Sequence, residues 1–212
     1  MKKVINFLLK FVLFILAWRG AIGLVRRRFK FPMPHFMADV IDNPLRRKII
    51  PPDKTAIRHG IQPGMMVLEI GPGSGNYTVA AAQRVGARGR LVAVDIEPRM
   101  LKRTLLKSKD AGLTNLETRL ADVRCLPFEA NTFDLIFMIT VIGELPDTHQ
   151  ALLEFRRVLK PGGTLAISEF LPDPDYSLPG TLTLKAEAAG FRRRELIGNL
   201  FYYTLILEKG AI

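Results

Sequence analysis

From residue 65 onward, short apolar runs alternate with stretches that have the periodicity of helices. The predicted strands are residues 65–70, 90–95, 115–120, 133–139 and 163–170, and the predicted helices are residues 75–86, 98–111 and 147–159. Strands that alternate with helices are joined by right-handed crossovers, so the strands are parallel and both faces of the sheet are covered. This pattern predicts an α/β fold.

The end of the chain departs from this alternation. A predicted helix at residues 180–189 stops at Gly190, and two apolar stretches then follow with only a tight connection at residues 198–199. Strands that are joined so closely form an antiparallel hairpin. The prediction is therefore a seven-stranded sheet, mostly parallel, with an antiparallel hairpin at its C-terminal end.

The positive charge of the chain is concentrated near its N-terminus. Residues 1–60 contain 13 Lys and Arg against three acidic residues, a net charge of +10, and the whole chain has +11. Such an excess is typical of proteins that bind nucleic acid or an anionic membrane surface. Here an apolar run at residues 4–18 lies between basic residues, which favours a membrane partner and argues against nucleic acid.

Residues 1–28 are predicted to be a membrane-anchoring helix with a basic flank. A spanning helix needs about 20 apolar residues, and residues 4–25 reach that length only if Lys10 and Arg19 are accommodated. Lys10 also lies on a polar stripe at helical spacing, which is typical of a helix in the plane of the interface. A spanning and an in-plane anchor are both open, whereas no clear cleavage site supports a signal peptide.

Two further segments follow the predicted anchor. Residues 29–52 are rich in Pro, Arg and aromatic residues and are predicted to connect the anchor to the main domain, with a possible role as a lid. Residues 53–212 are predicted to form that domain. Pro51 and Pro52 are expected to break a helix, and Asp53 is expected to cap a short helix that runs towards Gly60.

The first predicted strand runs directly into the glycine-rich sequence GPGSG at residues 71–75. Glycine lets the backbone turn sharply and approach a ligand closely, and the N–H groups at the start of the next helix point at that ligand. The spacing is G-x-G-x-G, which differs from the dinucleotide fingerprint, and no Walker phosphate loop occurs. Asp95 ends the second strand, twenty residues after Gly75. A carboxylate at this position can accept hydrogen bonds from both hydroxyls of the ribose of a bound nucleotide.

Protein-bound metal chemistry is not predicted. The chain has one cysteine, Cys125, and its three histidines lack metal-ligand spacing. One cysteine also excludes an internal disulfide and a cysteine-based zinc or iron–sulfur site.

Four segments, taken in order, resemble the successive motifs of class I S-adenosylmethionine-dependent methyltransferases. They are VLEIGPGSGNYT, LVAVDIEPRML, ADVRCLPFEANTFDLIFMI and RRVLKPGGTLAISEF. The chain is more narrowly similar to the branch that acts on small molecules and lipids, which includes the ubiquinone/menaquinone C-methyltransferases. The resemblance covers residues 53–209 and implies a Rossmann-like sheet, with S-adenosylmethionine as cofactor and S-adenosylhomocysteine as product.

The resemblance also implies a role for individual residues. By it, Glu69, Gly71, Gly73 and Gly75 would hold the methionine end of the cofactor, Asp95 would bind the ribose, Ile96 would pack on the adenine, Asp122 and Val123 would contact the exocyclic amine, and Thr140 would lie near the sulfonium. An alternative interpretation is that Asp95 is the N-cap of a helix and that Asp122 caps a loop.

The segment after the fourth strand departs from the related enzymes. It reads ITVIGELPD, without the Asn/Asp-Pro-Pro-aromatic motif of many enzymes that methylate amines of nucleic-acid bases. Gly143 and Glu144 occupy positions where relatives often have histidine. A carbon or phenol acceptor needs a base, and Glu144 and His35 are predicted to be catalytic, with Glu169 as a third candidate.

These observations predict a methyltransferase that acts on a small lipophilic or membrane-lipid acceptor. The enzyme would be membrane-associated, with the catalytic domain on the cytoplasmic side, where the cofactor is made. Residues 30–52 and 171–180 are expected to form an apolar lid over the acceptor. A cofactor-binding scaffold protein of the membrane, without catalysis, is the alternative function.

Overall fold

The computed structural model describes residues 43–210 together with the single positions 10 and 20. The elements, in chain order, are α1 (Pro44–Ile49), α2 (Pro52–Arg58), β1 (Met66–Ile70), α3 (Asn76–Val85), β2 (Arg90–Asp95), α4 (Pro98–Asp110), β3 (Leu116–Leu120), β4 (Phe133–Ile139), α5 (Thr148–Val158), β5 (Leu159–Phe170), α6 (Pro179–Ala188), β6 (Phe191–Gly198) and β7 (Tyr202–Lys209). The predicted α/β architecture is confirmed.

All seven strands form one sheet in the order β3-β2-β1-β4-β5-β7-β6. Strands β1 to β5 are parallel, and β7 is antiparallel to both β5 and β6. The chain builds outward from β1 to β3 on one side and from β4 to β5 on the other. The strand order therefore reverses between β1 and β4, and open α/β sheets bind ligands at this point, beyond the carboxyl ends of the strands.

Both faces of the central strands β1, β2 and β4 are buried, as expected for parallel strands, whereas at the two edges of the sheet β3 is only partly buried and β6 is mostly exposed. Successive side chains of a strand point to opposite faces, so Val67 and Leu68 of β1 belong to different cores. Val67 packs in the core that includes Ala56 of α2 and Val85 of α3, whereas Leu68 packs in the core that includes Phe155 of α5. Two apolar layers thus hold the carboxyl ends of the strands in place.

Two predicted boundaries are wrong. Helix α2 begins at Pro52, with Pro51 as its N-cap and Asp53 in its first turn, so Asp53 does not cap the helix. Proline is tolerated at the first helical position because the N–H that it lacks has no partner there. Strand β5 begins at Leu159 and not at residue 163, since Leu159 pairs with Phe133 ahead of a register shift.

The predicted anchor at residues 1–28 lies outside the described residues, apart from positions 10 and 20. In the part of the chain that is described, no helix is long and apolar enough to cross a membrane.

Candidate cofactor and acceptor site

A cavity lies at the carboxyl ends of β1, β2, β3 and β4, on both sides of the point where the strand order reverses. The residues predicted for the cofactor that line it are Glu69, Gly71, Gly73, Asp95, Ile96, Asp122, Val123 and Thr140, and Glu144 lines it as well. Gly75 is not among the lining residues, and His35 lies outside the described residues. The cavity thus brings together nine predicted site residues from the ends of four strands.

The glycines of the loop at residues 71–75 have left-handed backbone conformations, with φ of +67° at Gly71, +56° at Gly73 and +83° at Gly75. A Cβ at Gly71 would lie 2.6 Å from Val141 Cγ2, and one at Gly75 would lie 2.9 Å from the Cα of Thr104 in α4. Gly75 therefore lets the loop pack on α4, and Gly73 leaves its backbone open to the cavity. This shape fits a ligand that approaches the main chain closely.

Glu69, on β1, is a buried carboxyl group at the base of the cavity. Burial raises its pKa to about 8, and the nearby Asp95 carboxylate adds to the increase. Its Oε2 is buried and has no hydrogen-bond partner within residues 43–210. An unsatisfied buried acceptor is costly, so this oxygen suits an incoming cationic donor such as the ammonium group at the methionine end of S-adenosylmethionine.

Asp95 lies half-buried at the end of β2, and its Oδ1 accepts a hydrogen bond of 2.9 Å from the backbone N–H of Glu97. Burial raises the pKa of this carboxyl to about 6. The N-cap of α4 is Glu97, whose side chain accepts from the backbone N–H of Arg99, so Asp95 does not cap the helix. The exposed side chain of Ile96 borders the cavity beside it and offers an apolar surface for a flat ring.

Asp122 follows β3 and is engaged by a neighbour that the sequence did not suggest. The backbone N–H of Arg124 donates to its Oδ1 at 2.9 Å, and the guanidinium donates to both carboxylate oxygens. These hydrogen bonds lower the pKa of Asp122 below its usual range. Asp122 therefore stays ionised, and its pairing with Arg124 fixes the carboxylate at the cavity wall.

Thr140 follows β4 with a left-handed φ of +55° and donates its backbone N–H to the carbonyl of Ser168 on β5. Its hydroxyl oxygen accepts a hydrogen bond of 2.9 Å from Nη2 of Arg46, which also lines the cavity. Arg46 lies on α1, within the predicted connecting segment, and was missed. The sequence carries a helix-start signal there, Asn43 followed by Pro44, but not the direction in which Arg46 points.

The predicted lid at residues 171–180 does not line the cavity. Tyr176 instead donates its hydroxyl to the carbonyl of Leu200, and its ring packs edge-on against Tyr203 at 5.8 Å. The backbone of Asp175 lies directly against Gly143, where a Cβ would be 2.7 Å from the Asp175 Cβ and closer still to its carbonyl oxygen. The loop thus supports the turn that carries Glu144, and the lid prediction is wrong for this segment.

Glu169, the third candidate base, is buried at the carboxyl end of β5 but does not border the cavity. Its Oε2 accepts a hydrogen bond of 2.9 Å from the backbone N–H of Ser177. Burial raises its pKa to about 8, and the negative charges of Asp173, Asp175 and Glu144 oppose its ionisation further. A protonated Glu169 that holds the loop at Ser177 is a structural group in this geometry.

Comparison with known proteins shows which proteins the chain is similar to. Residues 68–167 match the family described as a methyltransferase domain. A ubiquinone/menaquinone biosynthesis C-methyltransferase of Idiomarina loihiensis is 42% identical over 112 residues, which cover 52% of this chain and 45% of that protein. A relative from Teredinibacter turnerae with the same description has the same identity and coverage. The matched region therefore spans about half the length of these curated relatives.

Solved structures agree with the sequence matches. A SAM-dependent methyltransferase from Aquifex aeolicus has a TM-score of 0.78 and 27% identity, and the match covers 84% of this chain and 100% of that one. An arsenic(III) S-adenosylmethionine methyltransferase from Chlamydomonas reinhardtii has a TM-score of 0.60 at 22% identity and covers 86% of this chain and 75% of that one. The second likeness shows the fold alone.

Proposed function

We propose that this chain, which belongs to the class I S-adenosylmethionine-dependent methyltransferases, transfers the methyl group of S-adenosylmethionine to a ring carbon of a quinone-type acceptor. The cavity at the carboxyl ends of β1 to β4 carries the proposal, because it combines a glycine loop that a ligand can approach closely with Asp95 and with Glu69, whose buried Oε2 has no hydrogen-bond partner among the described residues. When bound, the cofactor supplies a methyl group that its sulfonium already activates.

The residues of this chain would bind, orient and exclude water. Glu69 would accept from the ammonium of the cofactor, and Asp95 would accept from the ribose hydroxyls. Ile139, Val141 and Leu145 give the β4 side of the cavity an apolar wall, which suits an aromatic ring and keeps water from the sulfonium. Glu144 borders this side and is our candidate for the group that takes the proton from the acceptor.

The acceptor class rests on the curated relatives, which are named for C-methylation in ubiquinone and menaquinone biosynthesis. Methylation of a ring carbon requires an electron-rich ring, and the hydroquinone form of a quinone is richer in electrons than the quinone. The proposed acceptor is therefore a prenylated hydroquinone with a hydrogen at the carbon that is methylated.

The proposal predicts methyl transfer by the purified full chain to a short-chain prenylated naphthohydroquinone kept reduced under anaerobic conditions. The expected result is incorporation of the labelled methyl group of S-adenosylmethionine into the organic phase, with one S-adenosylhomocysteine formed per methyl. Mass spectrometry of the product locates the methyl on carbon or on oxygen.

The matched control acceptor carries a methyl group at the ring position in question and is expected to give no product. Transfer to oxygen, or equal labelling of both acceptors, would contradict carbon methylation. Cofactor binding without transfer to either the naphthohydroquinone or the corresponding benzohydroquinone would support the scaffold alternative.

We also propose that the protein is held at a membrane by residues 1–28, with the cavity edge facing the lipid. The β6–β7 hairpin tip lies at this edge, because Tyr202 pairs with Phe170 at the carboxyl end of β5. Leu200 at the tip is 60% exposed and Phe201 is 45% exposed. A lipophilic acceptor would then enter from the bilayer.

Deletion of residues 1–28 is expected to move the protein from the membrane fraction to the supernatant. The readout is sedimentation of the full and truncated chains expressed without detergent, with cofactor binding as the check that the truncated domain is folded. If the full chain stays in the supernatant without detergent, the anchor is contradicted. Release of a membrane-bound full chain by carbonate would favour an in-plane helix over a spanning one.

A further inference from the structure

We propose that Arg46 forms an anion-binding subsite on the acceptor side of the cavity and holds an ionised oxygen of the methyl acceptor. This inference rests on the proposed function for the identity of the acceptor, and on the geometry of Arg46 for the subsite itself.

Arg46 is held in position by the segment that follows it. Ile50, at the end of α1, is fully buried, and its carbonyl accepts a hydrogen bond from the hydroxyl of Tyr77 on α3. The side chain of Arg46 is half-buried, lines the cavity and donates from Nη2 to the Thr140 hydroxyl at 2.9 Å. The guanidinium is therefore anchored at Nη2, and the buried Nε leaves Nη1 as the nitrogen for a further partner.

The charge of Arg46 is not balanced by a carboxylate partner in the described part of the chain. Its Nε is buried without a hydrogen-bond partner there. Arg124, the other basic residue that lines the cavity within residues 43–210, is already bound to Asp122. Among the described residues, Arg46 is thus the cation of this cavity without a carboxylate partner, and a guanidinium forms strong charge-assisted hydrogen bonds to an anionic oxygen.

The position of Arg46 favours the acceptor over the cofactor. The residues predicted for the glycine loop, ribose and adenine lie at the ends of β1, β2 and β3. Arg46 contacts Thr140 at the end of β4, and its guanidinium carbon lies 6.0 Å from the centre of the Phe170 ring at the end of β5. The guanidinium therefore lies on the opposite side of the cavity from the adenine site.

A cation at this position would favour the phenolate form of a hydroquinone, and ionisation makes the neighbouring ring carbon more nucleophilic. In the overall transfer, a carbon–carbon bond forms at the ring and the methyl–sulfur bond of the donor breaks to leave a neutral thioether. The ring hydrogen at that carbon leaves as a proton to solvent, so one proton is released per methyl. The carboxyl groups that line the same cavity, Glu69, Asp95, Asp122 and Glu144, oppose ionisation of the phenol when they are charged. Of these, Asp122 is already paired with Arg124, and Glu69, with a pKa of about 8, is mostly charged only above that pH.

The experiment uses 4-nitrophenol as a probe in the presence of saturating S-adenosylhomocysteine, which fills the cofactor part of the cavity. The absorbance of the bound phenolate is followed against pH. With the native protein, the pKa of the bound phenol is expected to fall by at least about 1 relative to solution. Arg46→Gln should abolish this decrease, Arg46→Lys should keep part of it, and the matched control Arg47→Gln on the same helix should keep it fully.

Binding of S-adenosylhomocysteine by Arg46→Gln is expected to stay within about threefold of native. A loss of more than about tenfold would show that Arg46 serves the carboxylate of the cofactor, and the proposal would be wrong. Equal ionisation of the probe by the native protein and Arg46→Gln, or no binding of the probe, would also overturn it. If Arg46→Gln does not fold, Arg46→Lys is compared with the native protein and should keep only part of the decrease in the pKa of the probe. A decrease that depends on Arg46, without methyl transfer to the hydroquinone, would support the subsite and contradict the proposed acceptor.

Discussion

Replacement of Asp95 by alanine is expected to weaken binding of S-adenosylmethionine by roughly 10- to 150-fold. Loss of a charge-assisted hydrogen bond costs about 1.5–3 kcal/mol, and every 1.4 kcal/mol is about tenfold in affinity. Asp95 lies at the end of β2 and borders the cavity, and its carboxylate is partly desolvated, which strengthens hydrogen bonds to it. Titration calorimetry with S-adenosylhomocysteine and S-adenosylmethionine measures the change.

The same carboxyl should make the affinity depend on pH. Burial raises the pKa of Asp95 to about 6 in the ligand-free protein, and ribose hydroxyls donate to the ionised form. Affinity is therefore expected to fall as the pH drops through 6, because the cofactor must then compete with a proton. In Asp95→Asn this decrease should disappear, whereas the dependence that belongs to Glu69 should remain and move below pH 8, because the Asp95 charge no longer raises the pKa of Glu69.

Asp110→Ala is the matched control, because Asp110 is an exposed aspartate at the end of α4, away from the cavity. Its affinity for the cofactor is expected to equal that of the native protein. Thermal unfolding should be similar for the three proteins, which shows that the fold is intact. Equal affinity of Asp95→Ala and the native protein would remove Asp95 from the site, and no binding by the native protein would contradict the enzyme function.

The features that could be predicted from the sequence depend on local pattern. Burial of β1, β2 and β4 on both faces requires continuous apolar runs, and the glycine loop and Asp95 are fixed to the strand ends that they follow. These residues therefore meet wherever parallel strands place their carboxyl ends on one edge. The order of motifs was enough to place them in one cavity.

The features that were missed depend on contacts between distant segments. The hydrogen bond from Arg46 to Thr140 joins residues that are 94 positions apart. Nothing in the local sequence around either residue indicates that the two are partners. Tyr176 is an aromatic residue of the type expected in a lid. Its hydroxyl nevertheless donates to the carbonyl of Leu200, and its ring packs against Tyr203. Pro52 was expected to break a helix, but it lies at the first position of α2. Proline is disfavoured in the interior of a helix and favoured at its first position.

The structure supplies a reason for the glycine at position 143. The backbone of Asp175 lies so close that no side chain fits at position 143 without movement. The contact is with backbone atoms, so it cannot be relieved by a change of rotamer. A histidine at this position, which the resemblance to related enzymes implied, would require a different path for the loop at residues 171–178.

Gly143→Ala is accordingly expected to lower the turnover number for methyl transfer by about 100-fold, since a displacement of about 1 Å near the reacting groups can have that effect. The added Cβ must displace either Asp175 or the turn at residues 141–144, which carries Glu144 into the cavity. The glycine loop and Asp95 lie on other strands, so affinity for S-adenosylhomocysteine should stay within about threefold of native. Steady-state kinetics with the naphthohydroquinone and calorimetry with S-adenosylhomocysteine separate the two quantities.

The matched control is Gly180→Ala, since a Cβ at Gly180 in the first turn of α6 meets no atom within 4 Å. This variant is expected to keep native turnover and to unfold at the same temperature or slightly above, because alanine is the better helix former. Native turnover in Gly143→Ala would show that Glu144 need not hold its position, and a parallel loss of cofactor affinity would place the damage in the fold. A loss of turnover with native cofactor affinity would instead show that the turn at residues 141–144 belongs to the acceptor site. Next to this turn, Thr140 accepts its hydrogen bond from Arg46.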